Sequence, residues 1–213
     1  KYAAQISAGI KISDLKIKKI QKDLIAVKKP VFPFNKFPKQ NIFLSPEMRS
    51  TGEVIGFDTQ LGSAYAKAEI GAGNTLPVNG EVFISVNNSD KKDIIKIARD
   101  LIEMQFNIIA TSGTEKLLNQ NGISCKEIFK VGEGRPNIVD QIKNNKISLI
   151  INTPLGAQSR YDEQKIGKAA IRHNVPLLTT ISATQAAIRG IRIMKTGKLN
   201  HLSLQEIFDK KSV

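Results

Sequence analysis

The chain contains the stretch Asn107-Ile-Ile-Ala-Thr-Ser-Gly-Thr-Glu-Lys-Leu-Leu118, in which a short apolar run meets the start of a helix. The residues at the junction are small and mostly carry hydroxyl groups, namely Thr111, Ser112, Gly113 and Thr114. The first backbone N–H groups of a helix have no intrahelical partner, and the helix dipole adds a partial positive charge beside them. We therefore interpret this junction as an anion site that the threonine hydroxyls assist.

The same feature recurs at residues 147–153, where an apolar run ends in Asn152 and Thr153. Strands alternate with helices from residue 80 onward, which predicts an α/β fold with a parallel sheet flanked by helices. The predicted strands cover residues 82–86, 107–110, 127–131, 147–151 and 176–179, and the predicted helices cover residues 89–105, 114–121, 136–144, 162–173, 183–194 and 202–208.

Parallel strands end on the same edge of a sheet, so both junctions would face one ligand site. Lys91 opens the helix after the first strand and Lys130 ends the third strand, which brings both lysines to that edge. The pattern predicts a pocket for a small phosphorylated ligand, formed by Lys91, Thr111, Thr114, Lys130, Asn152 and Thr153. Each residue alone also fits a helix cap, a turn or a solvated surface, so the prediction depends on their convergence.

The first part of the chain is less regular. Helices are predicted over residues 2–8 and 59–70, whereas the prolines within residues 30–38 disfavour a helix there. This part has few strand candidates and no core of its own, so we expect residues 1–72 to be the tail of a preceding domain and residues 73–213 to be the α/β domain. The chain also begins in the middle of a helical pattern, which is typical of a C-terminal piece of a longer protein.

The bulk composition limits the possible partners. The chain has 213 residues, a formal net charge of +13 and 41% hydrophobic residues, enough for a buried core. No run approaches the ~18 apolar residues of a membrane span, and the basic charge lacks aromatic interleaving or a helix-turn-helix pattern. We expect neither a membrane nor a nucleic acid as partner. The lone Cys125 excludes an internal disulfide and favours a reducing compartment.

No catalytic or metal-binding constellation is recognisable in the sequence. The chain has two histidines and one cysteine, which makes a metal site of these residues unexpected. The glycine spacing of the Walker and dinucleotide-binding loops is absent. Asp162 lies on an amphipathic segment and is expected to be solvated. We therefore predict no catalytic residue and no metal site in this chain.

Several motifs resemble those of the carbamoyl-phosphate synthase large subunit. Residues 33–38 (Pro-Phe-Asn-Lys-Phe-Pro), 44–56 (Leu-Ser-Pro-Glu-Met-Arg-Ser-Thr-Gly-Glu-Val-Ile-Gly) and 64–68 (Ala-Tyr-Ala-Lys-Ala) resemble the end of its second ATP-grasp half. Three further motifs resemble the regulatory C-terminal domain of that family, namely Ala110-Thr-Ser-Gly-Thr114, Lys130-Val-Gly-Glu-Gly-Arg-Pro136 and Ile150-Ile-Asn-Thr153. In that family, this domain has a methylglyoxal-synthase-like fold with Rossmann-like layers. The resemblance covers essentially the whole chain.

The resemblance implies a role in an ATP-dependent ligase that makes carbamoyl phosphate for arginine and pyrimidine biosynthesis. ATP and Mg or Mn would bind the full-length enzyme, with no cofactor in this fragment, and the partner would be a glutamine amidotransferase small subunit. The six pocket residues would hold an allosteric nucleoside monophosphate, UMP or IMP, and Thr179 would lie near an ornithine site between the two domains. The implied location is the cytoplasm, or the plastid stroma in a photosynthetic eukaryote.

The sequence departs from the family pattern at three informative positions. Pro154 and Ala157 replace a threonine and an arginine of many bacterial members, which favours UMP over IMP. Lys29 stands where ornithine-responsive members carry glutamate, and a lysine cannot pair with the ammonium group of ornithine. Effector binding would act by a population shift, with residues 71–80 as the pivot between the two parts.

Three alternatives remain open from sequence. One is a stand-alone methylglyoxal-synthase-like lyase acting on dihydroxyacetone phosphate, which needs a carboxylate base beside the phosphate loop. The usual Gly-Asp-Gln stretch is missing here, and Glu133 is the nearest substitute. The others are a nucleic-acid-binding module, favoured only by charge, and a structural domain with an empty pocket.

Overall fold

The computed structural model describes residues 1–17, 23–32, 52–153, 159–197, 199–201, 203 and 206. The motifs at residues 33–38 and 44–51, the departures at Pro154 and Ala157, and most of the predicted helix 202–208 lie outside these ranges. The helix predicted at the start of the chain is present as α1 (Tyr2–Ser7).

Two antiparallel strands in the first part of the chain were not predicted. Strand β1 (Ile25–Val31) pairs with β2 (Gly52–Asp58), from Ile25 opposite Asp58 to Val31 opposite Gly52. Within the part of the chain that the structure describes, the sheet has two strands, so each is an edge strand there, which is where a proline such as Pro30 is tolerated. Lysine and proline in β1 hide the alternating pattern by which strands are recognised in a sequence.

The main sheet has five strands in the order β5-β4-β3-β6-β7. They are β3 (Glu81–Val86), β4 (Asn107–Ala110), β5 (Lys126–Glu127), β6 (Leu149–Thr153) and β7 (Leu177–Leu178). All neighbouring pairs are parallel, as predicted. The chain leaves β3 towards β4 on one side and later returns to place β6 on the other side of β3. Such a reversal of strand order opens a crevice at the carboxyl ends of the strands.

The predicted strand over residues 127–131 is wrong in extent. Only Lys126–Glu127 form a strand, followed by an isolated bridge between Phe129 and Asn137. The next residues form a turn in which the amide of Glu133 donates to the carbonyl of Lys130 at 3.3 Å. The apolar residues of this loop pack against the core, which gave the sequence its strand-like character.

Helices cover both faces of the sheet, as expected for parallel strands. On one face lie α3 (Lys91–Glu103), α4 (Ser112–Gln120) and α7 (Ile181–Lys195), and on the other lie α5 (Ile138–Lys143) and α6 (Ser159–Arg172). Each face of the sheet has its own hydrophobic core. Val82 and Ile84 of β3 pack in the core under α3, α4 and α7, whereas Phe83 between them packs in the core under α5 and α6.

Helix α2 (Leu61–Gly71) joins the first part of the chain to this α/β layer. A side chain at Gly62 would come within 2.8 Å of the backbone carbonyl group of Arg189 on α7, so the two helices pack backbone to backbone. The connector after α2 is also fixed, because Leu76 is buried in the core and the Lys195 ammonium donates to the carbonyl of Val78 at 2.8 Å. These contacts hold Leu76 and Val78 against the α/β layer, and the pivot predicted at residues 71–80 stays a prediction. The domain boundary after residue 72 stays a prediction.

None of the helices within the described ranges is long and apolar enough to cross a lipid bilayer.

Candidate functional site

A cavity of about 430 Å³ lies at the carboxyl edge of the sheet. Its size is within the range of small-molecule sites. Strand ends supply its polar wall, and the register of β3 and β6 places Ser85 opposite Asn152 and Val86 opposite Thr153. The lining residues are Phe83, Ser85, Val86, Asn87, Thr111, Lys130, Val131, Glu133, Ile138, Asn152, Thr153, Asp162 and Ile166.

The N-terminus of α4 opens at this edge without a side-chain cap. Thr111 is the N-cap residue, yet its hydroxyl makes no capping bond and instead donates to the Ser85 hydroxyl at 3.3 Å. The amides of Thr114 and Glu115 both donate to the Thr111 carbonyl at 2.8 Å. The N–H groups of the first helical residues have no intrahelical acceptor, so they are suited to an anion.

Two buried threonines hold the strand ends in place. The Thr114 hydroxyl accepts from the amide of Val86 at 3.4 Å, and the Thr153 hydroxyl accepts from the amide of Asn87 at 3.3 Å. A hydroxyl that accepts one hydrogen bond still has its own proton to donate. Both side chains can therefore support the backbone and also face an oxygen acceptor.

Two lysines lie beside this edge, in different positions. Lys130 lines the cavity, and its ammonium is 3.9 Å from the carboxylate of Glu133. Lys91 is the first residue of α3, and its ammonium is 3.9 Å from the place a Cβ would take at Gly113 in the first turn of α4. The Lys91 ammonium and the positive end of the α4 dipole repel each other when no anion is present. An anion between them would be stabilised by the ammonium and by the helix dipole.

The structure thus brings four of the six predicted pocket residues, Thr111, Lys130, Asn152 and Thr153, into one cavity wall. Thr114 is buried next to this wall, and Lys91 lies over the first turn of α4. Their role in effector binding stays a prediction. Thr179 follows β7 at the far edge of the sheet, and it is outside this wall.

Of the acidic residues in the described cavity wall, sequence reasoning named Glu133, as the nearest substitute for a carboxylate base, but it missed Asp162. Asp162 was expected to be solvated, but it lines the cavity and is only partly exposed. Burial raises its pKa and the neighbouring Glu133 carboxylate raises it further, while Lys130 and Lys165 oppose the shift. The helical spacing to the buried Ile166, four residues later, could have placed Asp162 on the inward side of α6.

Other reactive groups within the described ranges offer no second chemistry. Burial and the Glu115 carboxylate raise the pKa of the Cys125 thiol to about 12, so it is protonated and a poor nucleophile at neutral pH. No group of three or more histidine, cysteine, aspartate or glutamate side chains is arranged to hold a metal ion in the described part of the chain.

The sequence of the chain is similar to proteins of known family. A family model described as the MGS-like domain matches residues 93–179. The carbamoyl phosphate synthase large chain of Nostoc sp. is 42% identical over 207 residues, which cover 97% of this chain and 19% of that protein. Over this span, the chain belongs to the carbamoyl phosphate synthase large-chain family. The family predicted from the motifs is thereby confirmed.

A second relative of the same name is similar over most of this chain. The carbamoyl phosphate synthase large chain, C-terminal section, of Aquifex aeolicus is 44% identical over 194 residues, 89% of this chain and 36% of that protein. Methylglyoxal synthase from Elizabethkingia anophelis superposes with a TM-score of 0.46 and 19% identity, over 56% of this chain and 82% of that one. The match of residues 93–179 to the MGS-like domain confirms the MGS-like fold that was predicted. The chain spans a minor part of the length of these large chains.

Proposed function

We propose that this chain is the regulatory C-terminal part of a carbamoyl phosphate synthase large chain and that its carboxyl-edge cavity binds a nucleoside monophosphate. One observation carries the proposal: Thr111, Lys130, Asn152 and Thr153, from separate parts of the chain, line one cavity beside an uncapped helix N-terminus. Charge-assisted hydrogen bonds contribute roughly 1.5–3 kcal/mol each. A few of them at one phosphate are enough for micromolar affinity.

In this proposal the phosphate lies at the N-terminus of α4, between Lys91 and Lys130. The apolar side chains of Phe83, Val131 and Ile166 give the rest of the cavity a surface for a base or sugar. UMP is favoured over IMP because Pro154 and Ala157 replace the residues of many bacterial members. The close contact of α2 with α7 supports a mechanical link from this domain to β1 and β2.

The effector would act by preferring one arrangement of the longer enzyme over another. That enzyme would be an ATP-dependent ligase of the cytoplasm or the plastid stroma that makes carbamoyl phosphate for arginine and pyrimidine biosynthesis. ATP and Mg or Mn would bind outside this segment, and a glutamine amidotransferase small subunit would supply ammonia. Ornithine control is not proposed, since Lys29 pairs with Glu69 and Thr179 lies apart from the cavity.

Calorimetric titration of UMP tests the effector site. We expect one site of about micromolar affinity, weakened roughly tenfold or more by Lys130→Ala and by Thr111→Val. Lys126→Ala on the exposed β5 is the matched control and keeps wild-type affinity. Absence of heat and of thermal stabilisation at millimolar UMP would overturn the proposal and favour a purely structural domain.

A second candidate function is a lyase acting on dihydroxyacetone phosphate. The observation that favours it is the pair of carboxylates, Glu133 and Asp162, beside the cavity, since this reaction needs a carboxylate base. Incubation with dihydroxyacetone phosphate and assay of methylglyoxal tests it. Turnover that is lost in Asp162→Asn would establish the lyase, and no turnover would exclude it for this substrate.

A further inference from the structure

We infer that Glu133 and Asp162 restrict this cavity to ligands with a single phosphate group and reject nucleoside di- and triphosphates. The inference rests on the proposed binding of a nucleoside monophosphate and adds the residues that set its selectivity. It follows from the charges around the cavity, which are unusual for an anion site.

The charge of the wall is the first observation. Among the lining residues that the structure describes, one lysine, Lys130, accompanies the two carboxylates of Glu133 and Asp162, so this described part of the wall carries one net negative charge. The attraction for an anion is therefore concentrated in a small region, where the first turn of α4 lies with the Lys91 and Lys130 ammonium groups. A monophosphate can place all of its charge in that region.

The position of Glu133 is fixed by its own loop. Its carboxylate accepts the backbone N–H of Lys130 at 3.2 Å and lies 3.9 Å from the Lys130 ammonium. Its backbone amide donates to the Lys130 carbonyl at 3.3 Å, which closes the turn. Glu133 therefore partly neutralises Lys130, the one cation among the described lining residues, and keeps a carboxylate at the cavity.

Asp162 comes from a different element, the first part of α6. It is held at the wall by the packing of Ile166, which is 4% exposed and belongs to the core on that face. Burial raises the pKa of Asp162, and the charged groups that act on this carboxylate are Lys130 and Lys165, which oppose the shift, and Glu133, which adds to it. Further phosphates that stay within the cavity would share it with both carboxylates.

The consequence is a cost for each additional charge on the ligand. A triphosphate brings about two more negative charges than a monophosphate, and like charges at contact distances repel even in a wet site. Selectivity of this kind comes from a repulsive element as well as from attraction. For an enzyme proposed to consume ATP, rejection of triphosphates would let the site report on monophosphates alone.

Calorimetric titrations with UMP, UDP and UTP in EDTA, at fixed ionic strength, test the inference. The variants are Glu133→Gln, Asp162→Asn and their combination, with Glu163→Gln as the control, because Glu163 is next to Asp162 on α6 but outside the wall. We expect wild type to bind UTP at least tenfold more weakly than UMP. The double variant should reduce the ratio of the two Kd values by roughly threefold to tenfold, and Glu163→Gln should leave it unchanged.

Two results would overturn the inference while the proposed function stands. One is wild-type protein that binds UTP as tightly as UMP. The other is a double variant, folded by circular dichroism, in which UMP and UTP affinities change by the same factor. Absence of any UMP binding by wild type would instead overturn the proposed function, and this inference with it.

Discussion

At the scale of single residues, the ion pairs around α2 differ sharply in burial. Lys29 pairs with Glu69, whose side chain is 4% exposed, whereas the neighbouring Lys28 pairs with Glu53, whose side chain is 54% exposed. Glu69 also accepts from the side-chain amide of Asn74 at 3.2 Å. In the sequence, Lys29 argued against ornithine binding. Its partner Glu69 lies forty residues away and could not be predicted from the sequence pattern.

Lys29→Met should therefore destabilise the fold much more than Lys28→Met. The first substitution leaves a buried carboxylate without its cation, which costs about 1–3 kcal/mol in the free energy of unfolding. The second removes an exposed pair worth about 0–1 kcal/mol. Urea unfolding followed by circular dichroism measures both, and equal losses would show that the Lys29 pair is no more protected than a surface pair.

Asp58 makes a pH-dependent contribution to the free energy of unfolding, and the direction of its pKa shift fixes the sign of that contribution. Burial alone would raise the pKa of Asp58, but hydrogen bonds from Lys67 at 2.8 Å and from the Gln60 amide lower it below 3.8. A lowered pKa means that the stabilisation is present above the unfolded value and is lost as the pH falls through the folded value. Asp58→Asn should cost about 1–3 kcal/mol at neutral pH.

The loss from Asp58→Asn should shrink as the pH falls below the unfolded pKa of 3.8. Thermal unfolding of wild type and variant across this range is the measurement. A difference in Tm that stays constant down to the lowest pH would contradict the assignment.

At the scale of elements, the sequence predicted the regular strand–helix alternation better than the irregular joints. Strand β4 was predicted with its observed bounds, because an apolar run ends there at a clear helix start. Strand β5 was extended too far, since Ile128 and Val131 are packed by a turn rather than by strand pairing. The contact of α2 with α7 could not be foreseen, because it depends on glycines facing across two helices that are distant in sequence.

Gly62→Ala should loosen this contact. A Cβ there would lie 2.8 Å from the carbonyl carbon and oxygen of Arg189, which are backbone atoms and cannot rotate away. Overpacking of this kind costs about 1–3 kcal/mol. The control is Gly71→Ala at the end of α2, where the nearest atom is 3.4 Å away on the Val54 side chain and alanine also favours the helix.

The two glycine variants are compared by their Tm and by urea unfolding. Gly62→Ala should lower both, while Gly71→Ala should be neutral or slightly stabilising. An unchanged Tm for Gly62→Ala would show that α2 and α7 can move apart at little cost, and it would favour the predicted pivot at residues 71–80.

At the scale of the whole molecule, the parallel sheet determines where the site lies. Sequence patterns placed hydroxyl, amide and lysine residues at strand ends, and the fold then gathered Thr111, Lys130, Asn152 and Thr153 into one wall. Asp162 of that wall was missed because its position depends on which face of α6 turns inward, and the placement of Glu133 at the wall depends on a turn. A pattern of strand ends predicts an edge, while the far side of a cavity depends on how helices and loops pack over it.

The most direct test of the central claim is the amide NMR spectrum of isotope-labelled protein during titration with UMP. A phosphate held at the N-terminus of α4 should move the backbone N–H signals of Ser112 and Gly113 downfield and shift that of Lys130, with saturation at one equivalent. Signals of β1 should move little. Unchanged Ser112 and Gly113 signals at saturating UMP, or shifts confined to another surface, would contradict the account.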